Sequence, residues 1–328
     1  MEIPSHIKSH LSQVEIIIEK ELSNEDPNTY GMLPSFIKRG GKRIRPLLLL
    51  ASCGAVGGKY EYAIQPSVIL ELFHNFTLIH DDIEDNSQFR RGEPTIHISH
   101  GLPIALNSGD ALYTFLWKKL VSLDMKPSKL IKLQKLYANS FKSVVDGQGT
   151  ELFWIKSGKF DVTKDEYLAM IDGKTSSLIR LACETGTLVG NASKSMQKAL
   201  GIYGEKIGAA FQIQDDILNL VGNFETYKKE IGGDITEGKR TLMVVHCLGK
   251  ANYQDKSRLI SILSSHSSKK EDISEAISII KKYGSIDYAK SYAEKLVQEA
   301  KKKVSKLPDS ADKNVLLAIA DYVVNRDS

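Results

Sequence analysis

A chain of 328 residues with 42% hydrophobic and 26% charged side chains has the balance of an ordinary globular protein and enough apolar material for a sizeable core. Its formal net charge of +4 is too small to argue for nucleic acid, and no uninterrupted apolar run approaches about 18 residues, so nothing is expected to span a membrane. The first residues lack a signal-peptide apolar core, and Cys53, Cys183 and Cys247 are odd in number and far apart, which disfavours zinc or a disulfide framework and makes the cytoplasm the expected compartment.

Ile7, Leu11, Val14, Ile17, Ile18 and Leu22 predict an amphipathic first helix, closed off by Pro27. The basic turn Arg39-Gly40-Gly41-Lys42-Arg43-Ile44-Arg45-Pro46 then leads into the apolar run Leu47 to Ala55. Its glycines permit a tight turn and Pro46 suits a first helical turn, so the cations sit at a helix N-terminus, where backbone N–H groups also favour an anion. Alone, this stretch is equally a solvated loop. Beside acidic metal–diphosphate motifs it reads as a phosphate clamp.

Gly57-Gly58 breaks that helix and the next begins near Ala63. Val68, Ile69, Leu72, Phe73, Phe76 and Ile79 recur at spacings of three and four, so this helix is largely buried up to Asp81-Asp82-Ile83-Glu84-Asp85. At roughly 100° per residue, Asp81 and Asp85 lie only about 40° apart on one face. Two carboxylates held that close repel and take up a proton unless a cation sits between them. Oxygen ligands on a rigid helix suit Mg²⁺, which takes one or two carboxylates and fills its other positions with water or substrate phosphates. His74 shares the aspartates' face, although a lone His on an apolar face is usually a satisfied core residue. After the motif, Arg90-Arg91-Gly92 supplies adjacent guanidiniums, the side chain best shaped for bidentate phosphate contact.

Asn107-Ser108-Gly109-Asp110 is expected to cap a helix from Ala111 to Leu120, and Pro127-Ser128 one from Lys129. At its far end, Gln148 and Glu151 either line a cavity or mark a helix exit. Thr163 and Glu166 have capping-box spacing and open a helix from Tyr167 to Ala182. Inside it Lys174-Thr175 lies amid Met170, Ile171, Leu178 and Ile179, an odd place for a Lys unless it snorkels or, as we favour, faces an anion. Phe211-Gln212-Ile213-Gln214-Asp215-Asp216 repeats the acidic grammar in another apolar helix, with Asn219, a poorer ligand, one turn on. A single acidic motif of this kind is usually a solvated face; two in apolar helices near basic residues are harder to explain that way. Metal sites in bundles are built on facing helices, so the two motifs are expected to face one cavity. The polar, lysine-rich stretch 223–241 reads as a mobile lid, and the C-terminal third alternates helices with breaks such as Lys306-Leu307-Pro308-Asp309. With no strand-like alternation and no short repeat, the expected fold class is all-α.

GKRIRP (41–46), DDIED (81–85), RRG (90–92), Lys174-Thr175, FQIQDD (211–216) and GGDITEGK (232–239), in this order, resemble the trans-prenyltransferases, the isoprenyl diphosphate synthases or polyprenyl synthetases. The resemblance runs to the YVVNRD ending at 322–327. It implies a single large antiparallel helical bundle over 1–328 around a central cavity, usually in a homodimer. It further implies that Asp81 and Asp85 hold Mg²⁺ on one wall and Asp215 holds it opposite, about three ions in all with Mn²⁺ as a substitute, supported by Asp82, Asp216 and Asp234. The ions grip an allylic diphosphate, joined by Arg90, Lys174, Lys229 and Lys239. Lys42, Arg45, His74 and Arg91 match the residues that bind isopentenyl diphosphate, and Thr175 and Gln212 those that place oxygen dipoles near the allylic cation. Asn219 departs from the fuller motif, so its own metal contact is not implied. A class I terpene cyclase shares the acidic helix but has no need of the second basic set, and a silent regulatory subunit would be expected to carry degenerate acidic motifs.

Product length should be set before Asp81. Thr77 is small and about 40° from Asp81 in azimuth, whereas Phe73 and Phe76 lie about 80° and 140° round, which makes Phe76 a flanking wall on geometry alone. An aromatic five positions before the first Asp with a small residue at four resembles the archaeal-type geranylgeranyl synthases. The resemblance therefore implies mainly all-trans geranylgeranyl diphosphate from dimethylallyl, geranyl or farnesyl starters, with farnesyl or longer diphosphates as the alternative.

Overall fold

The computed structural model describes residues 4–222 and 231–326. They fold as helices, apart from one pair of two-residue strands, β1 (Phe89–Arg90) and β2 (Glu93–Pro94). That pair departs from the strand-free expectation and is local. Arg91 and Gly92 take positive φ of 56° and 81°, the turn that closes a two-residue hairpin.

Two compact units emerge, each discontinuous in sequence. The first takes the described residues of Met1–Asn139, Leu178–Gly201 and Lys303–Ala318. It opens with α1 (Ser5–Ser23), which buries Ile7, Leu11, Val14, Ile18 and Leu22 as its periodicity demands. Pro27 does not simply end the chain's first helical run: it opens the short α2 (Pro27–Tyr30), capped by Asp26, whose carboxylate accepts the Asn28 N–H at 2.9 Å. After α3 (Leu33–Lys38), α4 (Ile44–Gly54) is buried on every side through Leu47, Leu48, Leu49 and Leu50. Next, α5 (Glu61–Glu84) packs most extensively on α7 (Leu102–Val121), then on α4 and α1, and Asp85 is its C-cap. Between them lies α6 (Ile96–His100). Asn107 to Asp110 cap nothing; they lie inside α7, which starts five residues earlier with Pro103 in its first turn. Ser108 turns its hydroxyl back to the Ile104 carbonyl at 2.8 Å, so its capping chemistry is absorbed within the helix.

The second unit takes the described residues of Ser140–Ser177, Ile202–Lys302 and Ile319–Ser328. Several helices run through both units. Helix α8 (Pro127–Ser157) passes Gly147 and Gly149 without exiting. A Cβ on Gly147 would lie 2.3 Å from the Lys174 backbone nitrogen, and one on Gly173 would lie 2.6 Å from the Ser143 carbonyl oxygen. Those glycines serve close approach between helices, not helix termination. Thr163 and Glu166 form the predicted capping box at the start of α9 (Lys164–Ile171). The predicted helix is then interrupted by a π-helical turn, Asp172–Ser176, before α10 (Ser177–Val189). There follow α11 (Lys194–Val221), α12 (Gly233–Thr236), α13 (Leu242–Lys250), α14 (Tyr253–Ser265), α15 (Lys270–Lys282), α16 (Ser285–Val304) and α17 (Ala311–Asn325). Most of the expected lid, 223–230 with Lys229, lies outside the described residues. No described helix is long and apolar enough to cross a membrane. Cys53, Cys183 and Cys247 are each buried and unpaired in a disulfide.

Candidate functional site

In the first unit the basic turn, the hairpin and the end of α5 gather around His74. Arg45, in the first turn of α4, donates from Nη1 to His74 Nε2 at 3.2 Å. Burial first, and then the charges of Arg45, Arg91, Arg90 and Arg43, hold the His74 imidazole well below its usual range. Burial likewise brings the Arg45 guanidinium down to about 10, against the pull of Glu71 and Asp81. Arg45 Nε, Arg91 Nη1 and His74 Nδ1 are all buried without a hydrogen-bond partner. Three orphaned donors at one cationic place lack an acceptor, and an anion supplies one.

Gly41 belongs to the same cluster. Its φ is +140°, and a Cβ there would lie 2.8 Å from Arg91 Nη2, so the turn admits the Arg91 guanidinium only because residue 41 has no side chain. Lys42 is exposed on this turn. Asp82 is 2% exposed and takes the fork of Arg90, Nε at 2.8 Å and Nη2 at the same Oδ1. Arg90 is thus already engaged, and Asp82 supports the motif from beneath while Asp81 and Asp85 stand half-buried. One turn deeper, Phe73 is fully buried. Phe76 lies 6.1 Å from it, 4.9 Å from His80 and 5.3 Å from Tyr113 of α7, ring to ring. Thr77 is half-buried and donates to the His74 carbonyl at 2.9 Å.

In the second unit, α11 carries the other acids. Asp216 is buried; it accepts from the Tyr167 hydroxyl at 2.8 Å and from Gln212 Nε2 at 2.7 Å. Gln212 Oε1 in turn accepts from the Thr175 hydroxyl at 2.7 Å, which fixes which way the amide faces. Burial, followed by the neighbouring Asp234 and Asp215 carboxylates, pushes the Asp216 carboxyl well above its usual range. Acid is in local excess here. Asp215 receives Arg326 at 3.2 Å; the same guanidinium lies 3.9 Å over the Phe211 ring and bonds the Phe211 carbonyl. Asn219 accepts the Asp234 N–H at 3.0 Å, so the amide that replaces the expected carboxylate holds the turn carrying Asp234.

Lys174 meets an anion inside its helix, and here that anion is the Glu151 carboxylate on α8. Burial opposes Glu151's charge, but Lys174 and Lys239 hold its carboxyl below the usual range. Lys239 also pairs with Asp234 at 3.6 Å and with Glu237. Among the described residues no group of three or more His, Cys, Asp or Glu side chains could hold a metal ion by itself. The acids come in ones and twos with excess negative charge, a donor set that fits Mg²⁺ completed by phosphate oxygens.

Sequence reasoning passed over Glu71, Tyr167 and Arg326. Glu71 carried a signal, an acid flanked by Leu70 and Leu72 in a buried helix. The other two act on residues 49 and 111 positions away, which no local pattern reports.

Comparison with known proteins bears on both clusters. The Polyprenyl synthetase profile matches residues 26–280. Over its full length the chain is 37% identical to a short chain isoprenyl diphosphate synthase of Methanothermobacter thermautotrophicus and 34% identical to a geranylgeranyl diphosphate synthase of Methanosarcina mazei, covering 99% of each. Its fold matches the crystal structure of a geranylgeranyl pyrophosphate synthetase from Pyrococcus horikoshii with a TM-score of 0.91 and 35% identity, over 98% of both chains. With the ordered motifs, the all-helical fold and this likeness along the whole chain, the protein belongs to the polyprenyl synthetase family.

Proposed function

We propose that this protein condenses isopentenyl diphosphate with dimethylallyl, geranyl and farnesyl diphosphates, building mainly all-trans geranylgeranyl diphosphate. The observation that carries the reading is the set of orphaned donors on Arg45, Arg91 and His74. With Lys42 they bind the diphosphate of isopentenyl diphosphate, the substrate that is not ionised. Because Arg45 donates to Nε2, His74 carries its proton on Nδ1 and offers it to a phosphate oxygen.

The allylic substrate needs its diphosphate neutralised before the C–O bond breaks. Bound Mg²⁺, about three ions held by Asp81, Asp85 and Asp215 and replaceable by Mn²⁺, supplies Lewis-acid stabilisation of that leaving group. Arg90, Lys174 and Lys239 add fixed positive charge, joined by Lys229 outside the described residues. The Thr175 hydroxyl and Gln212 amide, locked to each other, present oxygen dipoles to the allylic cation. The isopentenyl double bond then attacks, and the proton lost from the product goes to the released diphosphate.

Phe76, backed by Phe73, His80 and Tyr113, borders the growing chain beside the small Thr77 and limits it to four isoprene units. Leu102, Leu106 and Tyr113 leave 54%, 49% and 38% of their surface exposed at spacings of four and seven along α7. A second copy of the chain would cover this stripe, which supports a homodimer. Its cytoplasmic placement rests on three buried thiols kept out of disulfides.

The test is incubation of purified protein with Mg²⁺, isopentenyl diphosphate and each allylic starter, reading product length by chromatography. Geranylgeranyl diphosphate as the main product is expected. Hydrocarbon from an allylic diphosphate alone would indicate a cyclase, and no product in any arm would indicate a silent subunit.

A further inference from the structure

We propose that Arg43 is a positioning residue of the isopentenyl-diphosphate clamp, one that touches no substrate and fixes the backbone that aims Lys42 and Arg45. The inference rests on the clamp reading above. Arg43 sits in the most basic stretch of the chain, yet its charge is turned away from any ligand. Nε donates to Glu15 of α1 at 2.8 Å, Nη1 to Glu71 of α5 at 2.7 Å, and Nη2 to the Ile37 carbonyl of α3 at 2.8 Å. Each guanidinium nitrogen therefore has an anchor on a different helix, and the side chain is only 10% exposed.

The backbone explains why such anchoring is needed. Arg43 is the N-cap of α4 with φ 46° and ψ 34°, a left-handed conformation that L-residues with a Cβ avoid. Strain of this kind persists only where the surroundings over-determine it. Here the three charge-assisted bonds do so. The residue before this kink is Lys42 and the second after it is Arg45, so one backbone reversal decides the direction of both. The Glu71 end of the anchor lies three residues before His74, and its Oε1 also accepts from the Asn75 amide at 3.3 Å. Arg43 thus ties the turn that bears Lys42 to the helical turn that bears His74.

The test compares Arg43→Lys and Arg43→Gly with wild type, using Lys42→Ala as the reference for a lost clamp contact. Initial rates are measured with each substrate varied in turn, and a thermal melt is recorded for every protein. Glycine accepts the left-handed backbone but loses all three anchors; lysine keeps a cation beside buried Glu71 and protects the fold. We expect KM for isopentenyl diphosphate to rise about tenfold for Arg43→Gly and by less for Arg43→Lys, with KM for the allylic substrate unchanged. Wild-type KM for isopentenyl diphosphate in both variants overturns the proposal. So does an equal rise for both substrates, or a fall in kcat alone with a lowered melting temperature, which is how a mere strut behaves. Should Arg43→Gly fail to fold, Arg43→Lys and Glu15→Gln decide the matter by the same split. Wild-type protein without turnover would instead remove the functional reading itself, an outcome distinct from turnover with unmoved KM values.

Discussion

Arg45 Nη1 stands 3.2 Å from His74 Nε2, and a guanidinium can only donate, so His74 accepts there as a neutral ring. Burial and four neighbouring arginines keep its affinity for a second proton well below the usual 6.5. As pH falls below about 6.5, the unfolded chain binds a proton at this residue that the folded chain refuses, so stability present above that pH is progressively lost. His74→Gln has no such proton to gain. Its melting temperature should therefore drop less between about pH 7.5 and 5 than that of wild type, measured by circular dichroism. Equal drops would show that His74 titrates alike in both states.

Turnover should require a divalent cation and collapse in Asp81→Ala and in Asp215→Ala. Each substitution removes a carboxylate from an electrostatic clamp on a leaving group, where one preorganised contact commonly accounts for about a hundredfold in rate. Near-native helicity with at least that loss of kcat is the expected result. A variant that keeps wild-type rates at saturating Mg²⁺ would remove its residue from the metal set.

Phe76→Ser should lengthen the product. The phenyl ring meets Phe73, His80 and Tyr113, and an aromatic side chain buries about 150 Å² or more, so its removal opens room for at least one further isoprene unit. Chromatography of dephosphorylated products reports the outcome. An unchanged distribution would move the limit to Phe73 or Tyr113.

Arg326→Ala should be felt at Asp215, 111 residues earlier in the chain. The guanidinium is 4% exposed, and its loss leaves Asp215 and the Phe211 carbonyl without that donor. We expect destabilisation of about 1–3 kcal/mol and a fall in kcat, with the Mg²⁺ concentration for half-maximal rate displaced from wild type. Denaturant melts and a metal titration measure both. A variant indistinguishable in either would reduce Arg326 to surface packing.

Much of this was legible from residue order. The apolar spacing of α1 and α5, the capping box at Thr163 and both acidic pairs appear where periodicity and cap chemistry put them. The errors share a cause. Asn107 to Asp110 have the composition of a cap, but Leu112, Phe115 and Leu116 bury one face of a helix that begins earlier, and packing overrides local preference. Gly147 looked like a helix exit because a glycine's use in close backbone approach shows only when the opposing segment is in place. The couplings of Tyr167 to Asp216 and Arg326 to Asp215 depend on the fold itself, and no window of sequence contains both partners.

The π-helical turn at Asp172–Ser176 has a bearing on how this chain tolerates insertion and deletion. A π turn is an α-helix with one residue too many, so removing one residue between 172 and 176 would return the segment to ordinary α-helical winding. The two sides of the cut would then rotate by roughly 100° relative to one another. With α10 held by its own packing, Tyr167 would swing away from Asp216; with α9 held, the Thr175 position would leave Gln212. A single-codon deletion here is thus a frame error in three dimensions with the reading frame intact, whereas the same deletion in an exposed connection such as Lys306 to Asp309 would be absorbed.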